Sequence, residues 1–250
     1  MKQPSLRLID ANNVVRALLE TSQPIRQFVS NIKLGDVFVW DGEGANSRRR
    51  HIYPGYKGNR QPTPTEIFKS INWMKGVIGF TPAIQIQVPK YEADDVIATL
   101  ARTNPGPVEI QSSDWDFYQL VDDRITWTGK PKEGIEPKYV RLYKILVGDP
   151  RDNIKGVKGF GVKTWDRANK PELYRFVVDC LIHHRTCLLP FNHGLLAPVE
   201  SKLTELQPEL KVMWEVAGFY YVPDDLINAN LVVGKNDPNV VHEMLKEQLQ

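Results

Sequence analysis

At 250 residues and 28.6 kDa, with 42% hydrophobic and 25% charged residues, the chain can bury a sizeable core, and its composition excludes disordered, collagen-like and coiled-coil proteins. The net charge of +2 hides a gradient: residues 1–90 carry 13 Lys/Arg against 6 Asp/Glu, residues 91–170 carry 13 against 13, and residues 171–250 carry 6 against 11. No apolar block of signal-peptide length opens the chain and no uncharged span of about 20 residues follows, so a cytoplasmic protein with no membrane partner and with Cys180 and Cys187 as reduced thiols is expected.

In chain order, short β-branched apolar runs recur at Leu6–Ile9, Val37–Trp40, Ile84–Val88 and Val108–Ile110. Each is followed by polar or acidic residues, and the segments between them have helical periodicity. The pattern predicts an α/β fold with a parallel sheet. Helices are predicted at Asn13–Leu19, Ile25–Ile32, Thr65–Ile78 and Ala93–Arg102, with Pro64 marking the start of the third. After Asp123 the alternation weakens. Residues 137–170 read as short helices around a Gly-rich turn, and the last 80 residues as helices and loops interrupted by Pro190, Pro198, Pro208 and Pro223.

Ligands of such sheets gather beyond the carboxyl ends of the strands, and the acidic residues fall there. Asp10 ends the first predicted strand, Asp41 the second, and Asp114 and Asp116 follow the fourth. Glu92, Asp94 and Asp95 open the helix after the third, and Asp149 and Asp152 precede the Gly-rich turn. Each has an ordinary explanation alone, because helix first turns and tight turns favour acids. Their convergence on one edge asks for a compensating cation, since desolvated carboxylates repel at a cost of several kcal/mol each. Oxygen ligands without local His or Cys suit Mg²⁺ or Mn²⁺.

Between Gly44 and Thr65 there is no acid, while Arg48, Arg49, Arg50, Lys57 and Arg60 alternate with His51, Tyr53 and Tyr56. Cations interleaved with rings suit nucleic acid, and Lys57 beside a metal pair could steady a phosphate. The run Asn153–Thr164 holds Lys155, Gly156, Lys158, Gly159, Gly161 and Lys163, a combination that lets backbone amides approach phosphates closely.

These motifs occur in one order: Ile9-Asp10, Trp40-Asp41-Gly42, Tyr53-x-x-Tyr56-Lys57-x-x-Arg60, Glu92-Ala93-Asp94-Asp95, Ser113-Asp114-x-Asp116-x-x-Gln119-Leu120, then Gly148-Asp149-x-x-Asp152-Asn153 through Lys163-Thr164. In them, over residues 5–170, the chain resembles the 5′ nucleases of the flap endonuclease superfamily, in particular bacteriophage enzymes and the 5′ nuclease domain of DNA polymerase I. The resemblance implies a PIN-like parallel sheet with flanking helices, a helical arch and a helix–three-turn–helix; outside it, Trp214, Phe219, Tyr220 and Tyr221 read as the core of a C-terminal helical cap. It implies residues 1–135 as nuclease core including an arch segment at 44–65 and residues 136–170 as DNA-binding region, and residues 171–250 read by their own pattern as a C-terminal helical region.

It also implies a monomeric structure-specific 5′-3′ exonuclease and flap endonuclease that uses two Mg²⁺ or Mn²⁺ ions on branched, nicked or flapped DNA, with RNA primers in RNA/DNA hybrids as a further substrate. Asp10, Asp41 and Asp94 would serve the first ion, and Asp94, Asp114, Asp116 and Asp149 the second, while Glu92, Asp95 and Asp152 would act through waters. Lys57 and Arg60 match phosphate-contacting positions, Tyr56 a base-stacking position, and Gly156–Thr164 the turn that grips duplex DNA and holds K⁺. A replicative polymerase or single-strand-binding protein is the implied protein partner. The rival readings are a non-catalytic DNA-structure-binding module and a PIN-type ribonuclease; the full set of acids weighs against the first and the Gly-rich clamp against the second. Cys180, His183, His184, Cys187 and His193 suggest zinc, but Cys180 and Cys187 share a stripe with Phe176, Val177 and Leu188, which favours a core-facing helix over a metal site.

Overall fold

The computed structural model describes residues 5–21, 24–186 and 191–247. Strands are β1 (Leu6–Asp10), β2 (Val37–Val39), β3 (Ile84–Ile86), β4 (Val108–Gln111), β5 (Ile125–Trp127) and β6 (Leu231–Val233). Helices are α1 (Ala11–Thr21), α2 (Ile25–Ser30), α3 (Ser47–Ile52), α4 (Thr65–Ile78), α5 (Ala93–Thr103), α6 (Val140–Val147), α7 (Val162–Arg167), α8 (Lys170–Tyr174), α9 (Ala197–Glu205), α10 (Gln207–Val216), α11 (Asp224–Ala229) and α12 (Pro238–Glu247). None of the described helices is long and apolar enough to cross a membrane.

The chain forms two compact units. The first comprises residues 1–46, 61–130 and 220–250, and the second residues 47–60 and 131–219. Sequence reasoning set the segment 44–65 with the sheet and kept residues 171–250 together, whereas contacts group 47–60 with the helical unit and return 220–250 to the sheet.

The first unit is built on a six-stranded sheet of order β5-β4-β1-β2-β3-β6. Five strands are parallel and β6 adds antiparallel to β3. The central strands are nearly continuous apolar runs because helices cover both faces: Leu8, Ile9, Phe38, Val39, Ile86 and Ile110 are buried. One face packs α1, α4 and α12 through Val14, Leu18, Met74 and Val77, with Val241, Met244 and Leu245 of α12 against them. The other carries α5, whose Ala93, Ala98 and Ala101 let it lie close to the strands. Asp95 Oδ1 accepts from the Tyr220 backbone N–H at 2.8 Å, and Thr99 Oγ1 accepts from Val222 N–H at 3.0 Å, so the returning C-terminal segment docks on α5.

The second unit has an aromatic core. Tyr139 and Tyr143 meet Trp165 edge to face, and Arg141 stacks on Trp214 while donating to its carbonyl. A π-helical stretch, Arg175–Ile182, follows α8. The zinc suggestion finds no support here. Cys180 is disulfide-bonded, which corrects the expectation of reduced thiols, and Cys187 lies outside the described residues. His193 is buried against the rings of Phe176 and Phe191, and His184 meets Gln207.

Candidate metal and nucleic-acid site

In the sheet unit the carboxylates follow from strand ends. Asp10 is the last residue of β1 and is buried, and Asp41 lies two residues beyond β2 and is exposed. Glu92 is the N-cap residue of α5, and Asp94 lies in its first turn, where the helix dipole favours an anion. Asp114 caps the 3₁₀ turn Trp115–Leu120 and accepts from the Asp116 N–H at 3.0 Å. Because β1 lies between β4 and β2 in a parallel sheet, Asp10 stands between Asp114 and Asp41.

Polar neighbours fix this edge. Ser112 Oγ donates to Asp10 Oδ2 at 2.8 Å and accepts from the Asp114 N–H at 3.0 Å, and the Asn13 N–H donates to Asp10 Oδ1 at 3.2 Å. Asp41 Oδ1 accepts from the Ala93 N–H at 2.9 Å and Oδ2 from Asn12 at 3.2 Å. The close turn needs Gly42: a Cβ there would lie 1.8 Å from the Val88 carbonyl oxygen. Burial, then repulsion from Asp41 and Asp114, pushes the Asp10 carboxyl up to about 7 despite the hydrogen bonds from Ser112 and Asn13. A buried carboxyl crowded by two others, with oxygen donors alone around it, fits a hard divalent cation. Asp95 Oδ1 accepts from the Tyr220 N–H and so also ties the C-terminal segment to α5.

In the helical unit, Asp149 and Asp152 converge on Lys144, a residue sequence reasoning missed. Lys144 is wholly buried, and its Nζ lies 2.9 Å from Asp149 Oδ2 and 2.9 Å from Asp152 Oδ2. Burial works to raise the Asp152 carboxyl, but Lys144, Lys57 and Arg60 outweigh it and hold the group at about 2. An isolated Lys in the apolar helix Val140–Val147, five residues before Asp149, was the available signal.

The basic segment is folded onto the same acids. Arg60 Nη2 is 3.1 Å from Asp152 Oδ1, and the Lys57 N–H donates to the Asp152 carbonyl. Lys57 Nζ sits 4.9 Å from the centroid of Tyr56. Two of the predicted DNA contacts are corrected. Arg49 is buried and donates to the carbonyls of Val216 and Gly218, tying α3 to the end of α10. Tyr56 is buried beside Arg49 and Lys57, so its ring is not presented for base stacking. Arg48 and Arg50 are exposed.

The Gly-rich turn sorts its residues by polarity. Ile154, Val157, Phe160 and Trp165 are buried, while Lys155, Lys158, Gly159, Gly161 and Lys163 are exposed and Thr164 is half-buried. Gly156 has φ +68°, and a Cβ on it would fall 2.6 Å from the Gly148 nitrogen and the Val147 carbonyl carbon. Apolar residues inward and lysines outward leave a compact cationic knuckle suited to phosphates.

A family model described as the 5′-3′ exonuclease, N-terminal resolvase-like domain matches residues 6–143. The chain is 38% identical over 143 residues to the thermostable DNA polymerase I of Thermus thermophilus, covering 51% of this chain and 17% of that protein. It is 32% identical over 196 residues to the Thermus aquaticus polymerase, covering 72% of this chain and 22% of that one. With a 5′-3′ exonuclease of Aquifex aeolicus it shares 35% identity over 143 residues, or 51% of this chain and 49% of the relative. The chain therefore spans about half the length of that exonuclease and about a fifth of the polymerases. Among solved structures, the bacteriophage T5 D15 protein co-crystallised with metal ions superposes with a TM-score of 0.67 at 18% identity over 98% of both chains. The catalytic core of Rad2 with a DNA substrate gives 0.52 at 16% identity over 98% of this chain and 88% of that one. These likenesses establish the PIN-like α/β fold.

Proposed function

Since the chain belongs to the 5′-3′ exonuclease N-terminal resolvase-like family, we propose that it is a structure-specific 5′ nuclease that hydrolyses phosphodiester bonds of branched, nicked or flapped DNA. The observation that carries this reading is the carboxylate edge, where burial and two neighbouring acids hold Asp10 near pH 7 and call for divalent cations. Asp10, Asp41 and Asp94 are assigned to one ion and Asp94, Asp114, Asp116 and Asp149 to a second, with Glu92 acting through water. When bound, a pair of Mg²⁺ or Mn²⁺ ions supplies activation of a water and stabilisation of the leaving oxygen.

The chain's own residues prepare the site. Ser112 and the Asn13 amide orient Asp10, and Asn12 with the Ala93 amide orients Asp41. Lys144 offers Asp149 and Asp152 a shared buried cation, and with Lys57 and Arg60 it holds the Asp152 carboxyl well below its ordinary value. Lys57 and Arg60 offer cations to the scissile phosphate, with Arg48 and Arg50 extending the basic surface. Lys155, Lys158 and Lys163 on the Gly156–Thr164 turn hold the duplex by its phosphates, and the same turn is assigned the K⁺ ion. Flap endonuclease and polymerase names among its relatives support action in replication or repair beside a polymerase, with RNA primers as a second substrate.

The test is incubation with Mg²⁺ and a 5′-flap duplex labelled at its 3′ end, beside Asp94→Asn. Incision near the junction that is lost in the variant is the expected result, and stepwise shortening would assign the exonuclease mode. Salt-sensitive binding without cleavage in either Mg²⁺ or Mn²⁺ would refute the reading in favour of a binding module, and cleavage of single-stranded RNA alone would favour a ribonuclease.

A further inference from the structure

We propose that Gln87, gripped by Lys75, is a positioning residue for Asp41: it fixes the main chain that aims this carboxylate at a divalent cation. The proposal rests on the assignment of Asp41 as a metal ligand above and names the residues that set its direction.

Along β3 and just past it the sequence alternates Ile84, Gln85, Ile86 and Gln87, so both glutamine side chains leave the same face of the sheet. Each reaches a residue just beyond β2. Gln85 Oε1 accepts from Trp40 Nε1 at 2.9 Å, and Gln87 Nε2 donates to the Asp41 carbonyl at 2.8 Å. Each also meets Lys75 of α4: Gln85 Nε2 donates to the Lys75 carbonyl at 3.2 Å, and Lys75 Nζ donates to Gln87 Oε1. The Lys75 ammonium stands 5.9 Å from the centroid of the Trp40 ring. Helix α4, strand β3 and the pair Trp40–Asp41 thus form one closed circuit of bonds.

The direction of each bond gives Gln87 its role. Its own main-chain N–H goes to the Asn230 carbonyl, so the side-chain amide is what serves Asp41. Lys75 is half-buried, burial lowers its proton affinity, and it spends a hydrogen bond on a neutral amide oxygen. A cation on the oxygen of an amide polarises that amide and strengthens its N–H as a donor, so Lys75 tightens the hold on Asp41 from a distance. The Asp41 carboxylate has its own partners in the Ala93 N–H and Asn12. A metal ion competes for those same oxygens, whereas the bond to the carbonyl lies out of its way. Holding the carbonyl fixes the plane of the Asp41–Gly42 peptide where the chain is already tight, since a Cβ on Gly42 would lie 1.8 Å from the Val88 carbonyl oxygen.

The test uses the full chain with Mn²⁺ as probe. Binding is read from the electron paramagnetic resonance signal of free Mn²⁺ without DNA, and melting in EDTA shows that each variant folds. Gln87→Met should weaken Mn²⁺ binding about tenfold, the low end of what loss of a ligand-orienting group costs. Lys75→Met leaves the amide in place and should weaken binding about threefold, and the double variant should match Gln87→Met because Lys75 acts through Gln87. The Mg²⁺ concentration for half-maximal incision should rise about tenfold in Gln87→Met, with the rate at saturating Mg²⁺ within about threefold of wild type. A residue that only braces the fold would lower the saturated rate and leave the Mg²⁺ requirement alone. Mn²⁺ affinity of Gln87→Met within about twofold of wild type, while Asp41→Asn weakens binding, would overturn the proposal, as would single-variant effects that multiply in the double variant. If Gln87→Met does not fold, Lys75→Met decides: weakened binding supports the proposal and unchanged binding overturns it. No Mn²⁺ binding by the wild type, or no loss in Asp41→Asn, would refute the assignment of Asp41 itself, and that of Gln87 with it.

Discussion

Replacing Asp10 by Asn should stabilise the metal-free protein above neutral pH while removing a metal ligand. In the fold the Asp10 carboxyl titrates at about 7 against an ordinary 3.8. Each tenfold change in proton affinity is worth about 1.4 kcal/mol, so the ionised carboxylate costs the fold about 4 kcal/mol once both states are deprotonated. The sign follows from proton counts: between about pH 4 and pH 7 the unfolded chain has released this proton and the folded chain retains it, so stability falls across that window and then levels off. Asparagine carries no such cost. Its oxygen can keep the Asn13 N–H, and its amide can donate to Ser112 Oγ, which has a second lone pair beside the one that receives the Asp114 N–H. Urea unfolding in EDTA should therefore show a small difference between variant and wild type at pH 4, growing to about 2–4 kcal/mol in favour of Asp10→Asn by pH 8. A difference independent of pH, or a variant less stable throughout, would refute the account of Asp10.

Lys144→Met should cost about 3–5 kcal/mol at pH 7, because two buried carboxylates lose their shared cation, with the deficit shrinking as pH falls below about 4, where Asp152 of the unfolded chain takes up a proton before Asp152 of the fold does at about 2; denaturant titrations at pH 7 and pH 3 check this, and a loss under about 1 kcal/mol at pH 7 would contradict the buried ion triad. Gly42→Ala should lower the melting temperature and weaken Mg²⁺ binding together, since the added Cβ forces the turn after Asp41 away from Val88; calorimetric titration with Mg²⁺ and a thermal scan provide the two readings, and normal Mg²⁺ affinity would show that Asp41 is insensitive to its turn.

The four central parallel strands were legible because buried parallel strands are written as β-branched runs, and Thr65–Ile78 was read to the residue from Pro64 and its apolar stripe. β5 and β6 were not, because three-residue edge strands such as Leu231–Val233, with two of three side chains exposed, carry no periodic signal. The acids of the sheet edge could be read as a group since strand ends are local features of sequence. What Asp95, Arg49 and Tyr56 do could not. Asp95 is identified with its cluster by spacing, yet its partner is a backbone amide 125 residues away. Arg49 belongs to a basic run by composition, but its bonds go to carbonyls at 216 and 218. Lys144 was hidden because a lysine in an amphipathic helix ordinarily marks the wet face, and only the position of Asp149 and Asp152 in space turns it inward.

The route of the chain through the sheet unit sets an order on its synthesis. β1 to β5 emerge within the first 127 residues, but the strand that completes the β3 edge and the residues that dock on Asp95 and Thr99 emerge about a hundred residues later. On the ribosome the nascent sheet waits with its β3 edge open, and α5, which carries Glu92 and Asp94, lacks its final contacts until residue 222 has been translated. Closure of so long a detour is slow compared with local folding, and an unfinished edge is a template for wrong pairing. Ribosome-stalled chains ending before residue 220 would therefore present an assembled set of strands with an unclosed rim, which makes the last 31 residues the step that turns a nascent sheet into a finished one.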